Sequence, residues 1–151
     1  MKSFTITKTE LSDVPELKRI EIECGLSPWS IDAYESELER QDSLILKAQR
    51  MDGSVIGFIL GRVPFDGGDA EIYNLGVATT LRREGIGSML LKQFRNICVE
   101  RRVADIWLEV RDSNVSAISF YRSHGFSKKG TRSNFYSNPT ENAVLMLMSV
   151  V

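Results

Sequence analysis

Apolar positions along this chain repeat with two different periods, and the changes of period mark the elements. FTIT (residues 4–7) alternates, as a short strand does. Val14, Leu17, Ile20 and Cys24 then recur at three- and four-residue steps, which predicts a helix with one apolar face. Ser12 and Asp13 offer N-cap oxygens ahead of it, and Pro15 suits its first turn. GLSPWS (residues 25–30) breaks the helix, and Ser30 is placed to cap a second one running to about Arg40.

Two β-rich runs follow, SLILKAQ (43–49) and SVIGFILGRV (54–63), joined through Asp52-Gly53, a strong hairpin signal. A second turn at residues 65–68 leads into DAEIYNLGV (69–77), so the three runs predict an antiparallel meander. Ile86, Met89, Leu90, Phe94, Ile97 and Cys98 then fall on one face of a long helix ending near Arg101-Arg102, where cations suit a C-terminus. The apolar run ADIWLEV (104–110) comes next. Strand, helix and strand make a crossover unit, which sets its two strands parallel. Ser113 or Asn114 can cap a short helix from Val115, with Gly125 at its C′ position. Two last strands, 126–136 and 143–150, flank a turn at residues 137–139. The expected class is mixed α/β, with one domain over residues 1–151.

LRREGIGSML (81–90) joins the third meander strand to the long helix. A helix N-terminus leaves N–H groups unpaired and carries partial positive charge, which favours an anion. Gly85 and Gly87 let a ligand approach the backbone, and Arg82 and Arg83 add charge. The plainer reading is a capped helix with a flexible approach, and for a lone G-x-G it carries more weight. The spacing is neither that of a mononucleotide P-loop nor that of the dinucleotide fingerprint.

Composition narrows the partners. Of 151 residues, 42% are hydrophobic and 26% charged, with a net charge of -1, as in an ordinary soluble globular protein. A broad nucleic-acid surface would normally carry a basic excess. No run approaches the ~18 apolar residues that span a bilayer. Two cysteines in no metal or redox spacing, and no signal-like N-terminus, predict a cytoplasmic protein without a metal site.

Two segments together carry a family resemblance. Arg82-Arg83-Glu84-Gly85-Ile86-Gly87 follows the strand ending Leu75-Gly76-Val77, and it precedes LEVRDSNVSAISFYRSHGF (108–126). In this order and at this separation they resemble the two signatures of the GNAT N-acetyltransferase superfamily, across nearly the whole chain. Pro28-Trp29-Ser30 and the hairpin residues 132–136 with 141–143 further resemble the group that acetylates the N-terminal alanine of a ribosomal protein. Phe135 stands where that group more often has a tyrosine.

The resemblance implies a GNAT-like fold and acetyl-CoA as cosubstrate. It places the pantetheine arm against Leu75, Gly76 and Val77, and the pyrophosphate on Arg83, Glu84, Gly85, Ile86, Gly87 and Ser88, with Asn114 at a further cofactor position. Asn114 can equally be a helix N-cap. Glu109, the one acid in an apolar strand, is expected to be the general base; alone it reads as readily as an edge residue paired with Arg111. Tyr121, a phenol that keeps its proton at neutral pH, is expected to be the acid; alone it reads as readily as a core tyrosine. Glu71 is the alternative base. Trp29, Arg132, Asn134, Tyr136 and Glu141 are expected around the acceptor, though Trp29 can simply cover the core, and Asn134 and Tyr136 can serve only the turn. His124 reads as a helix-end cap rather than a chemical group. The expected acceptor is a protein N-terminal α-amine, a ribosomal protein being one candidate, and the enzyme a monomer or weak dimer. A small-amine acetyltransferase and a non-catalytic acyl-CoA-binding module stand as alternatives.

Overall fold

The computed structural model describes residues 3–150. Seven strands form one sheet: β1 (Phe4–Lys8), β2 (Ser43–Arg50), β3 (Val55–Arg62), β4 (Asp69–Val77), β5 (Asp105–Arg111), β6 (Ser127–Tyr136) and β7 (Glu141–Ser149). Their spatial order is β1-β2-β3-β4-β5-β7-β6. Four helices cover it: α1 (Val14–Cys24), α2 (Ile31–Leu38), α3 (Ile86–Glu100) and α4 (Val115–Ser123). The meander and the parallel crossover from β4 through α3 to β5 stand as the apolar periodicity predicts.

The faces of the sheet hold two cores. On one, Ile86, Leu90 and Phe94 of α3 and Tyr121 of α4 pack on Ile72, Ile106, Leu108 and Met146. On the other, Leu17 and Ile20 of α1 and Tyr34 of α2 pack on Ile45, Phe58 and Leu60. Gly61 is required beneath α3, because a Cβ there would strike the Glu71 carbonyl and the Phe94 ring.

Capping agrees with the sequence at Ser30, whose Oγ accepts from the Ala33 N–H at 3.0 Å. It differs at Asp13. That carboxylate turns back to accept from the Glu10 N–H (2.8 Å) and from Lys47 Nζ (2.7 Å). A buried lysine in the sheet needs a counter-charge, and this need outweighs an ordinary cap.

Two irregularities shape the site. β4 pairs with β5 only from Asp69↔Asp105 to Ile72↔Leu108. Beyond that point β4 continues along β3, while β5 continues along β7 as far as Arg111↔Ala143. The two strands therefore part half-way, and the sheet opens. In addition, the β3–β4 register slips so that Leu60 faces Asn74 and Gly61 faces Ile72. This bulge leaves Tyr73 unpaired with β3 and re-aims the residues after it.

Candidate active site

The glycine stretch lies at the mouth of this opening. After β4 the chain makes one 3-10 turn (Thr79–Leu81) and enters α3 through Gly85, whose φ of +81° suits only glycine well. The first helical bond runs from the Met89 N–H to the Gly85 carbonyl (3.0 Å). The amides of Ile86, Gly87 and Ser88 therefore have no acceptor within the helix, and they stand at its positive end. Gly87 is different from Gly85. A Cβ there would meet Phe120 at 3.5 Å and Val77 at 3.7 Å, which is ordinary contact. The fold does not need glycine at 87, and the bare backbone there leaves room for a ligand to lie against it. These features fit a pyrophosphate.

Gly76 has another reason. A Cβ on it would come within 2.9 Å of Leu26 and 3.1 Å of Ile20, so close packing of α1 demands glycine there. Its backbone still belongs to the part of β4 that lacks β5 as a neighbour. Asn114 caps α4, its Oδ1 accepting from the Ala117 N–H at 3.2 Å.

On the face opposite α3, Glu71, Trp107 and Glu109 stand together. Glu71 pairs with Trp107 across the parallel ladder, and Glu109 lies two residues on, at the point where the strands part. Glu109 Oε1 accepts from Arg132 Nη1 on the hairpin at 2.9 Å. Its Oε2 is buried and has no hydrogen-bond partner among the described residues. A carboxylate oxygen held this way is desolvated and available. The Glu71 carboxyl is pushed above the usual range by burial, and further by the charge of Glu109. Two acids of one sign share a partly dry site.

Two phenols continue the line. Tyr136 is pushed up to about 12, by burial first and then by Glu109. Burial raises Tyr121 well above the ordinary phenol range, with Tyr136 adding to it. Both phenols therefore hold their protons at neutral pH.

Outside this group lies a cleft of about 440 Å³ between the 25–30 loop and the hairpin turn, lined in part by Leu26, Pro28, Arg111, Phe135 and Tyr136. Three expected acceptor residues brace the segments around it rather than line it. The Trp29 ring packs on Tyr34 and Tyr73, each with a centroid separation of 5.8 Å. Asn134 has a φ of +54° and gives its N–H to Asn142 Oδ1. Glu141 accepts from Ser113 Oγ at 3.0 Å. Of that set only Arg132 is hydrogen-bonded to one of the two carboxylates.

Three wall-builders escaped the sequence reading. Arg111 does not pair with Glu109; it gives hydrogen bonds to the carbonyls of Ser137 and Pro139 and lies 4.5 Å over the Tyr136 ring. Asn74 donates to the Ser27 carbonyl at 3.2 Å. Glu21, 1% exposed, accepts from Lys18 Nζ (2.6 Å), the Trp29 N–H (2.7 Å) and Tyr34 Oη (2.9 Å). An acid four residues after Leu17, on the apolar face of α1, was the one available signal.

Known proteins share this plan. Residues 14–126 match the acetyltransferase (GNAT) family. The chain belongs to that family. It is 32% identical over 149 residues to the [ribosomal protein bS18]-alanine N-acetyltransferase of Escherichia coli K12, covering 97% of both chains. The protein of that description from Haemophilus influenzae is 32% identical over 145 residues, covering 93% of this chain and 95% of its own. The crystal structure of the Escherichia coli enzyme superposes with a TM-score of 0.86 at 31% identity, over 97% of this chain and 94% of that one. Ard1 from Thermoplasma volcanium superposes with a TM-score of 0.90 at 28% identity, over 99% of each. The protein is thus an acetyl-CoA-dependent N-acetyltransferase with the GNAT fold. Among the described residues no helix is long and apolar enough to cross a membrane, and no group of His, Cys, Asp or Glu could hold a metal ion.

Proposed function

We propose that the protein acetylates the free α-amine of a protein N-terminus, the alanine of ribosomal protein bS18 being the first acceptor to test. One observation carries the reading: the hairpin that walls the cleft with Phe135 and Tyr136 also sends Arg132 to Glu109, which sets the cleft next to the carboxylates. The similarity to the bS18 enzymes along 97% of the chain points the same way. A domain spanning residues 1–151, a cytoplasmic setting, a monomer or weak dimer, and no part for nucleic acid, membrane or metal go with it.

Acetyl-CoA supplies the acetyl group as a thioester. The amides of residues 83–88 hold its pyrophosphate, and the unpaired part of β4 at Leu75, Gly76 and Val77 lines its arm, with Asn114 nearby. An α-amine, with a pKa of ~8, is largely protonated at neutral pH and must lose a proton before it attacks. Glu109 takes that proton on Oε2, the oxygen that Arg132 leaves free. Glu71, beside it, shares the proton load. Tyr121 gives its phenolic proton to the departing sulfur. Arg132 and Tyr136 border the reacting amine; Trp29, Asn134 and Glu141 fix the walls that guide the peptide to it.

Purified protein, acetyl-CoA and a panel of short peptides differing in the first residue test this. Release of free thiol with peptides bearing the bS18 N-terminus is expected. Turnover confined to small amines, or none with any peptide, would overturn it.

A further inference from the structure

His124 ends α4 and bridges it to α3. Its Nδ1 lies 2.8 Å from the Phe120 carbonyl oxygen and 3.0 Å from Ser123 Oγ, and its Nε2 lies 2.9 Å from Ser88 Oγ. The Phe120 ring, 4.3 Å away between centroids, packs against the imidazole. A carbonyl oxygen only accepts, so Nδ1 carries a hydrogen. In the neutral ring Nε2 is then an acceptor, and Ser88 must give it the hydroxyl proton. The Ser88 oxygen then has only lone pairs for anything else. In the imidazolium both nitrogens donate. Nε2–H points at Ser88 Oγ, and the hydroxyl proton is free to turn outward.

Ser88 is the third residue of α3, and its amide is one of the three without a helical acceptor. We infer that His124 is a positioning residue for the pyrophosphate of the cosubstrate: through Ser88 it sets whether the first turn of α3 presents a hydroxyl donor or only lone pairs. The inference rests on the reading of residues 83–88 as the pyrophosphate cradle. An anion needs the donor, so its binding selects the imidazolium and takes up a proton. Transfer of that proton is the whole of the chemistry: it goes from solvent to Nε2, and no covalent bond to the ligand forms. The charged side chains on the surrounding elements are Arg122 on α4, Lys92 one turn beyond Ser88 on α3, and Arg82, Arg83 and Glu84 in the loop. Side chains of these types ordinarily keep one charge state between about pH 5.5 and 8, whereas imidazole does not.

The probe is 3′-dephospho-CoA, which keeps the pyrophosphate but lacks the phosphomonoester that itself titrates near pH ~6. For the wild-type protein the dissociation constant is expected to fall on the order of tenfold from about pH 8 to about pH 5.5. Calorimetry near pH 6.5 in buffers of different ionisation heat should show proton uptake on binding. In folded Ser88→Ala and His124→Gln, checked by thermal melts, the slope and the uptake are both expected to vanish. A bridge that merely held the helices together would weaken binding equally at both pH values. A flat wild-type profile, or a slope that survives both substitutions, overturns the inference. Wild-type protein that binds no 3′-dephospho-CoA at either pH overturns the cradle as well.

Discussion

The two sides of the opened sheet are made of different material. The cofactor side is backbone: a glycine at φ +81°, a second glycine that the fold does not require, and amides at the start of α3. The acceptor side is side chains locked to one another: Glu21 to Lys18, Trp29 and Tyr34, Arg111 to the hairpin turn, and Arg132 to Glu109. A backbone cradle presents its amides whatever the side chains around it, and Ser88 with His124 only tunes its strength. A wall of side chains can change its acceptor by a few substitutions. One side is suited to a constant cosubstrate, the other to a particular peptide.

Three substitutions would break or sharpen that contrast. The largest effect is expected for Glu109→Gln. It removes the proposed base and keeps the shape, so kcat should fall by roughly 10²–10⁴ while the acetyl-CoA KM stays within about twofold of wild type, because Glu109 is not part of the backbone cradle. Steady-state kinetics check it, and an unchanged kcat would take Glu109 out of its role.

Arg132→Gln comes next. Arg132 holds Glu109 by an ion pair and lowers the Glu71 carboxyl, against the larger upward push of burial. Removing the cation leaves the Glu71 carboxyl higher still. A base must be ionised to act, so the acidic limb of kcat/KM should move to higher pH. Activity is then lost more on the acidic side of the profile than on the alkaline side. A limb that stays in place, or moves to lower pH, would contradict this electrostatic arrangement.

The smallest effect is expected for Gly87→Ala. Its Cβ has room in the protein, so the melting temperature should stay within about 2 °C of wild type. The acetyl-CoA KM should rise several-fold and the peptide KM should not. A lowered melting temperature with an unchanged KM would mean that Gly87 serves the fold after all.

The same contrast decides how much could be read from the chain. Glycines at 85 and 87, with arginines before and an apolar stripe after, leave a linear signature, because the cradle is local in sequence. The strand order from β2 to β5 was legible for a similar reason: each connection is a hairpin or a crossover. The acceptor side joins residues far apart in the chain, such as Arg132 with Glu109 and Asn74 with Ser27. Arg111 and Glu109 are two apart on a strand, which suggests a pair, yet Arg111 is drawn to the hairpin turn. The bulge at Tyr73 shows in the sequence only as a change of phase, the apolar positions of β4 passing from Ala70 and Ile72 to Leu75 and Val77.

Glu21 has a consequence of its own. Its carboxylate oxygens fix the Trp29 amide and Tyr34, and Lys18 ties down the Trp29 carbonyl. The loop that lines the cleft is therefore ordered when α1 and α2 pack, before any peptide arrives. Conformational entropy that a floppy loop would surrender at each binding event is surrendered once, during folding. Differences in KM among peptides then report how each fits a standing wall, and selection among N-termini is by fit rather than by rearrangement.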